Sequence, residues 1–582
     1  MSRIDRRLPL RNVWTCLAVA VLVVAACGVP ALAQDGAFQR HLQAGEFAPA
    51  AALAQQAPAP QRDALLQQVA VAKAAAGMRQ GALQTAAQID SDSLRSQAVA
   101  GIASTPLGNF GPLPGAPGGG SMADFDSLIN LIKTTVSPDS WDDVGGPGSI
   151  APFQGGVRVD ADGVVHTLLR EARDGQLASL RRAAAHVAYD ADVRRTSRLR
   201  KVSLTRLERE VQLKLAAGEP LDEDMLVLAG LQRVQYVFVY PETGDVVLAG
   251  PAGDWRTDAE GRLVSVESGR PVLRLDDLVV LLRHFGRGNQ TAFGCSITPL
   301  QENLARTRAF IVESSKRPLP PGGRSRWLQD LAEHLGLQAI EFFGIDPQTR
   351  VARVLFEADY RMKLVGIGLE AGTVGVPSYL SMLVVKPGEP APPLGVVRWW
   401  FTLNYEALRT TESRDAYELC GQGVKVLSEN ELLTETGMRI HTGQSDANTA
   451  TFAQNFTEHF PALAARYPVY AELQNIFDLA LVCCLLRHED VGARVGWHMS
   501  CFGDPAAFAV ELGFAPRHVP TVVNHRIVNR TQILAVASGG VHADFGPLVK
   551  ASALQIDRRG MLGSYRHAAA PEKVARQSWW WD

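Results

Sequence analysis

The chain has 582 residues, with 58 Lys and Arg against 60 Asp and Glu, and 46% of it is apolar. That apolar fraction and a net charge of −2 exclude a disordered chain and leave no electrostatic footprint for nucleic acid. The 52 Gly and 33 Pro are scattered, which excludes collagen-like repeats, and the length suggests about three to five folded units.

Residues 1–33 have the layout of a secretory signal. Arg3, Arg6, Arg7 and Arg11 make a basic start, 17–26 is an apolar stretch, and Ala31-Leu32-Ala33 is a small-x-small cleavage site. The mature chain is then expected to begin near Gln34, in the periplasm or outside the cell. Val24-Ala25-Ala26-Cys27 also fits a lipid-attachment box loosely, so a lipoprotein anchored at Cys27 is an alternative, as is an uncleaved anchor. The apolar stretch is short for a span of about 20 residues, and no membrane span is expected after cleavage. Cleavage removes four Arg and one Asp, which leaves 54 basic and 59 acidic residues and a net charge of −5. It leaves five cysteines, Cys295, Cys420, Cys483, Cys484 and Cys501, too few for a disulfide framework. One or two bridges stay open on this count.

Residues 34–105 are rich in Ala and Gln with helical periodicity. Ala44-Gly45-Glu46-Phe47 through Gln56 aligns with Ala76-Gly77-Met78-Arg79 through Gln88 at an offset of 32. A helix–turn–helix period of that length resembles a short tetratricopeptide-like array. A plain helical hairpin that spaces or caps the next domain is the competing reading. Residues 106–121 are a Pro/Gly linker. Residues 122–192 read as a small α/β module. Phe125, Leu128, Ile129 and Ile132 give a helix face, Gly156-Val157-Arg158-Val159 a strand, and Leu168, Leu169, Leu177 and Leu180 a second helix. The helix–Ser-Trp–Gly-Gly–strand order resembles the N-terminal modules of secretins, a resemblance that implies protein partners. Asp139, Asp142 and Asp143 lack the spacing of a helix–loop–helix calcium site and read as a solvated turn.

The body, 193–568, is expected to be α+β with antiparallel sheets. In 193–386, Gly230-Leu231-Gln232 and Gly336-Leu337-Gln338 each precede alternating apolar residues and then Pro-x-Thr, at a constant offset of 106. Each is preceded by an amphipathic helix, over Leu204, Leu207, Val211 and Leu215 in one case and Trp327, Leu328, Leu331 and Leu335 in the other. Thr205 with Glu208 fits a capping box. The pattern predicts two duplicated αββα units, each with a hairpin at its Pro-x-Thr turn. Residues 387–568 are expected to be strands, with helix over 446–488. From Leu479 to Leu486 every residue is apolar, which marks a helix central to a core. Residues 569–582 are a Trp-rich tail.

The strings Gly230-Leu231-Gln232-Arg233-Val234-Gln235-Tyr236-Val237-Phe238, Phe356-Glu357-Ala358-Asp359-Tyr360-Arg361-Met362-Lys363 and Tyr467-Pro468-Val469-Tyr470-Ala471-Glu472-Leu473, with the closing Trp triplet, resemble a family of large secreted bacterial proteins whose domain has unknown function. The resemblance covers about 195–582. It implies secretion and a shared fold, and no activity or catalytic residue.

The sequence has no His-Glu-x-x-His, Gly-x-Ser-x-Gly, phosphate-loop or dinucleotide motif. Three groups of residues could carry chemistry. His488, His498, Cys501, His518 and His525 are candidate zinc ligands, weighed against scattered histidines; no cofactor is otherwise predicted. Glu357, Asp359, Arg361 and Lys363 alternate in sign at an expected helix start, where they suit either a cleft wall or an exposed salt-bridged turn. Trp579, Trp580 and Trp581 either dock on the chain's own body or present themselves to a partner. Two functional classes are compatible with these features. The first is a non-catalytic protein that binds envelope or secreted proteins. The second is a secreted hydrolase or metal-dependent enzyme with its site in the body.

Overall fold

The computed structural model describes residues 38–39, 41–42, 47–75, 79–104, 150–153 and 156–159, and then 193–582 apart from 259, 315, 317–322, 385–394, 434–437, 514, 529–530, 572–573 and 576. The readings of 1–33 with Cys27, of the linker, and of most of the small module lie outside the described residues. The described chain divides into two compact units.

Among its described residues the smaller unit holds α1 (Phe47–Gln55), α2 (Ala59–Ala75), α3 (Arg79–Ala86) and α4 (Asp92–Ser104), together with Glu208–Leu221 and His498–Cys501. Its core is made largely of alanine: Ala50, Ala54, Ala70, Ala74, Ala82, Ala86 and Ala98 pack with Leu66, Val69, Ile89 and Ile102. Side chains this small let helix backbones approach closely, and alanine loses no rotamer freedom in a helix. Buried Asp92 ties the unit together. It pairs with Arg95 at 2.7 Å and accepts the His498 backbone N–H at 3.1 Å and the Ser500 hydroxyl at 3.0 Å.

The larger unit begins with a hairpin of β1 (Ile150–Phe153) and β2 (Gly156–Val159). Next come β3 (Ser197–Ser203), α5 (Leu204–Ala217), which belongs to the smaller unit from Glu208 on, β4 (Tyr236–Tyr240), β5 (Asp245–Ala252), β6 (Trp255–Thr257), β7 (Leu263–Ser265) and α6 (Leu275–Gly286). The next stretch holds β8 (Ala292–Pro299), α7 (Gln301–Ser314), α8 (Arg324–Leu335), β9 (Leu337–Phe343) and α9 (Arg350–Gly366). After it come β10 (Gly395–Asn404), β11 (Ala407–Thr410), β12 (Ala416–Cys420), β13 (Gly423–Leu433), β14 (Arg439–His441), α10 (Ala447–Glu458), α11 (Phe460–Arg466) and α12 (Pro468–His488). The last elements are β15 (His518–Pro520), β16 (Val523–Val528), β17 (Thr531–Asp544), β18 (Leu554–Ile556), α13 (Met561–Ala568) and β19 (Trp580–Trp581).

Two large sheets result, ordered β14-β13-β10-β17-β8-β9-β15, with β16 also on β17, and β18-β11-β12-β4-β5-β3-β19. Pairing is antiparallel except for β10 with β17 and β11 with β18. The architecture is therefore α+β with largely antiparallel sheets. The run β10 to β13 stitches the sheets together: β10 and β13 lie in the first, β11 and β12 in the second. On one face of the first sheet, Trp399 and Phe401 pack on Phe452, Phe456 and Tyr470. On its other face, Val396 and Val536 pack on Leu304, Leu331 and Leu335.

The expected duplication fails at its second unit. Tyr240 and Asp245 do close a hairpin, with Gly244 at φ +74. After β9, however, the chain enters α9 instead of a second strand. Thr349 caps that helix by accepting the Ala352 N–H at 3.2 Å, and Val351, Val354, Leu355, Ala358, Met362 and Val365 fall at helical spacing and are buried. Periodicity of 3.6 beyond the turn thus outweighs the likeness of the turns. The two units also contribute to different sheets. The capping box at Thr205 is likewise not formed: Ser203 Oγ accepts the Arg206 N–H, and Glu208 Oε1 accepts the Cys501 N–H at 2.8 Å.

Within α9, Asp359 and Lys363 lie one helical turn apart and are fully buried, with Nζ 2.8 Å from Oδ2. The contact is an ion pair off the line of a hydrogen bond. Asp359 Oδ1 accepts the Gly540 N–H at 2.6 Å, and Lys363 donates to the Ile297 carbonyl at 3.2 Å. The helix can reach the sheet because β17 is glycine at the crossing. A Cβ on Gly539 would sit 2.1 Å from the Trp399 carbonyl oxygen and 2.7 Å from Asp359. This corrects the expectation of an exposed charged helix start: the pair lies past the middle of α9 and faces the sheet. Burial pushes the Asp359 carboxyl above the ordinary aspartate value despite Lys363 and the Gly540 N–H. Such a pair specifies how helix and sheet register more than it stabilises them.

Removing one partner strands the other, so Lys363→Met is expected to cost about 3–5 kcal/mol. Arg361→Gln, on the half-buried side of the same helix, is expected to cost about 1 kcal/mol or less. Urea unfolding followed by tryptophan fluorescence compares the two, and equal midpoints would refute a registering role for the buried pair.

Candidate functional site

Helix α12 has the length and apolarity of a membrane span, yet the whole of its apolar window is buried inside the protein. Four polar side chains interrupt it. Glu472, Gln474 and Asn475 are each 4% exposed and Asp478 is fully buried. Glu472, Asn475 and Asp478 follow one another at spacings of three, and Gln474 lies one turn before Asp478. A carboxylate in such surroundings must be neutralised or must keep its proton.

The partners come mainly from the segment between β3 and α6. Glu472 is the hub. Its Oε2 accepts from Arg262 Nε at 2.9 Å, while its Oε1 accepts from Arg350 at the start of α9. Arg262 also engages Glu357 and Glu260, and Arg350 also engages Asp277 in the first turn of α6. Burial would raise the Glu472 carboxyl, but Arg350 and Arg262 outweigh it and hold the group below the ordinary glutamate value. One and a half helical turns on, Asp478 accepts from Arg233 Nε at 2.8 Å and Nη2 at 3.1 Å, and from the Tyr405 hydroxyl at 2.7 Å. Between the two carboxylates, Gln474 Oε1 accepts from Arg270 at 2.6 Å and Asn475 donates to the Pro271 carbonyl at 2.9 Å. The turn joining β12 to β13 closes the seam, with Gly421 at φ +113 and Gly423 at φ +88. A Cβ on Gly423 would lie 3.2 Å from the Tyr405 hydroxyl and 3.5 Å from Asp478.

Two carboxylates of this seam, Glu472 and Asp478, are saturated, whereas Asp277, which engages Arg350 through Oδ2, keeps a buried Oδ1 with no hydrogen-bond partner among the described residues. Both oxygens of Glu472 and both of Asp478 already accept charge-assisted or hydroxyl hydrogen bonds, so neither group has a free oxygen. A general acid or base needs the opposite, a pKa near the working pH and a free oxygen within reach of substrate.

The residues singled out in the sequence are distributed widely. His488, at the end of α12, is exposed and has Nδ1 3.4 Å from Glu489. His518 lies on edge strand β15 opposite Ala339, and His525 lies on β16 opposite Leu534. His498 and Cys501 belong to the smaller unit. Among the described residues, no three His, Cys, Asp or Glu side chains group to hold a metal ion, so the zinc reading finds no ligand set there. Among the described residues no two cysteines form a disulfide, and burial drives the thiol pKa of Cys484 up to about 12. Of the charged string, Glu357 joins the seam, Asp359 and Lys363 form the buried pair, and Arg361 stacks over Tyr467 at 5.0 Å. Trp580 and Trp581 pair with Val202 and Lys201 of β3, and Trp579 is buried. Beneath them, fully buried Arg200 holds Asp582 through two hydrogen bonds of 2.9 Å and stacks on Trp580 at 4.7 Å.

Sequence reasoning alone misses the seam. Its signal lies in Glu472, Gln474, Asn475 and Asp478, polar residues on a helix otherwise made for a core.

Residues 295–379 match a family described as a protein of unknown function (DUF1598). The match runs from β8 through α9, includes Asp359 and Lys363, and covers far less than half of the chain. No curated protein and no solved structure matches this chain.

Because the folded Glu472 carboxyl lies below its ordinary value, its contribution to stability is full above that ordinary value of 4.5 and is lost as pH falls through the lowered one. Glu472→Gln removes the contribution at every pH. The gap in melting temperature between the native chain and Glu472→Gln is therefore expected to be widest near pH 7 and to narrow steadily below pH of about 4. A gap independent of pH would show that Glu472 acts through packing alone.

Proposed function

We propose that this is an exported, envelope-associated protein that works by binding protein partners and not by catalysis. The leader-like 1–33 supports export to the periplasm or beyond. The observation that carries the binding reading is the construction of the small helical unit. Helices α1 and α3 begin 32 residues apart, at Phe47 and Arg79, and α2 and α4 begin 33 apart, at Ala59 and Asp92. Glutamine pairs run between the repeats: Gln67 of α2 with Gln97 of α4 at 3.1 Å, Gln55 at the end of α1 with Gln88 just past α3 at 2.8 Å, and Gln39 ahead of α1 with Gln68 of α2 at 3.1 Å. A stack of like helices with an alanine core leaves a surface of uncharged amides in regular rows, suited to another polypeptide. The fully engaged carboxylates of Glu472 and Asp478 weigh against the alternative, a hydrolase with its site in the body.

The test is affinity capture from envelope extract with the chain from Gln34 as bait, compared with the variant Gln84→Arg/Gln88→Arg. Both positions are exposed, so the fold is expected to survive, as circular dichroism would verify. A partner retained by the first bait and reduced at least tenfold by the second is the expected result. Identical captured sets from both baits would place binding elsewhere.

A further inference from the structure

The arginines of the seam are not all alike. Arg262 and Arg350 each engage two or more carboxylates, and Arg233 is bidentate on Asp478. Arg270 engages none. Its guanidinium donates through Nη2 to the neutral amide of Gln474, and among the described residues its Nε and Nη1 find no acceptor. It stands beside Arg233, and the two guanidiniums have one carboxylate between them, that of Asp478. Burial and the neighbouring Arg233 lower the Arg270 pKa, as expected of a cation short of a counter-charge. Gln474 is itself fixed, donating to the Gln422 carbonyl, so the free edge of Arg270 is held in one direction.

Access is open. The turn ahead of Arg270, Val266 to Gly269, is exposed, and Gly269 has open space where a side chain would project. Arg233, Arg270, Tyr405 and Gln422 are each half-buried, a polar rim at the junction of the two sheets.

We propose that Arg270, with Arg233 beside it, receives a single carboxylate group of a ligand. The local charge decides the class. Two guanidiniums and one aspartate leave one positive charge, which a carboxylate neutralises; a phosphate dianion would leave an excess of negative charge next to buried Asp478. The edge of a guanidinium also matches a planar carboxylate through two parallel hydrogen bonds. A small organic acid and an acidic side chain of a peptide carry the same group. The site lies within the larger unit and uses none of the glutamines of the helical rows.

The experiment is a thermal-shift titration of the intact chain at constant ionic strength, replacing chloride by acetate or phosphate. Acetate is expected to raise the melting temperature saturably, with roughly millimolar affinity. The affinity should fall at least tenfold in Arg270→Gln, with Arg270→Lys between, because lysine keeps the charge and loses the paired donors. Melting of each variant in chloride alone reports its fold. A capped tripeptide with a central Glu distinguishes the sources. Binding at least tenfold tighter than acetate identifies a peptide carboxylate, and binding no tighter identifies a small acid. Equal shifts in acetate and chloride, a larger shift in phosphate, or an unchanged acetate response in Arg270→Gln would each overturn the proposal.

Discussion

The fold of the larger unit hangs on neutralising two carboxylates inside a helix that has no exposed side. Helix α12 is enclosed so completely that Glu472 and Asp478 cannot reach water. An ionised group there costs several kcal/mol unless it is paired. The guanidiniums that pair them come from three separate stretches: Arg233 ahead of β4, Arg262 at β7 and Arg350 at the start of α9. Each arginine can approach in only one register of its own element. Pairing α12 therefore fixes the position of the β4–β7 segment, of α9, and, through Tyr405 and the glycine turn, of the strands that join the two sheets. Apolar burial supplies most of the favourable free energy, but it is indifferent to register. The ion pairs discriminate among otherwise equivalent packings.

The same logic recurs at the crossing of α9 and β17, in miniature. Asp359 and Lys363 neutralise each other, and the other oxygen of the aspartate accepts from the backbone of Gly540. Gly539 and Gly540 have no side chains to hold the helix away. The segment that matches the family of unknown function includes both charged residues of this pair. The match therefore falls on the part of the chain that places α9 on the sheet, and it omits α12 and most of its partners.

Much of this is legible from local patterns. Strand alternation before Pro241, helix over 446–488 and the core character of 479–486 are periodicity signals, and these elements form where expected. The failures have one cause, which is that a local likeness does not carry its surroundings with it. Two similar turns do not impose similar elements beyond them, and the residues after Thr349 carry helical spacing and a capping threonine. Charges are equally deceptive when judged by how often such residues are exposed. Asp359 and Lys363 look like an ordinary i,i+4 surface pair, and only the glycines of a strand about 180 residues away make room for them inside. Glu472 and Asp478 are legible as anomalies, since carboxylates on an otherwise apolar helix demand partners. The identity of those partners is not, because Arg233, Arg262 and Arg350 are separated from them by more than one hundred residues and the chain has many arginines.

Saturation separates a structural charge from a functional one in this molecule. Glu472 has both oxygens engaged by guanidiniums, and binding anything further would require breaking an existing pair. Asp359, Asp478 and Arg200 are in the same condition: their groups are engaged by backbone, by aromatic rings or by opposite charges. Half-buried Arg270 differs, since it has left much of its water behind and gained only an amide in exchange. The carboxylate ligand proposed above is what would correct that imbalance. The rows of glutamine in the smaller unit obey a related rule without charge. Each pair leaves amide donors and acceptors that another polypeptide can use, and no desolvated ion has to be compensated. On the two proposals made above, the units would recognise ligands by contrasting means, the larger through the cation of Arg270 and the smaller through a repeated neutral surface, and neither draws on the carboxylates of Glu472 and Asp478 that hold the body together.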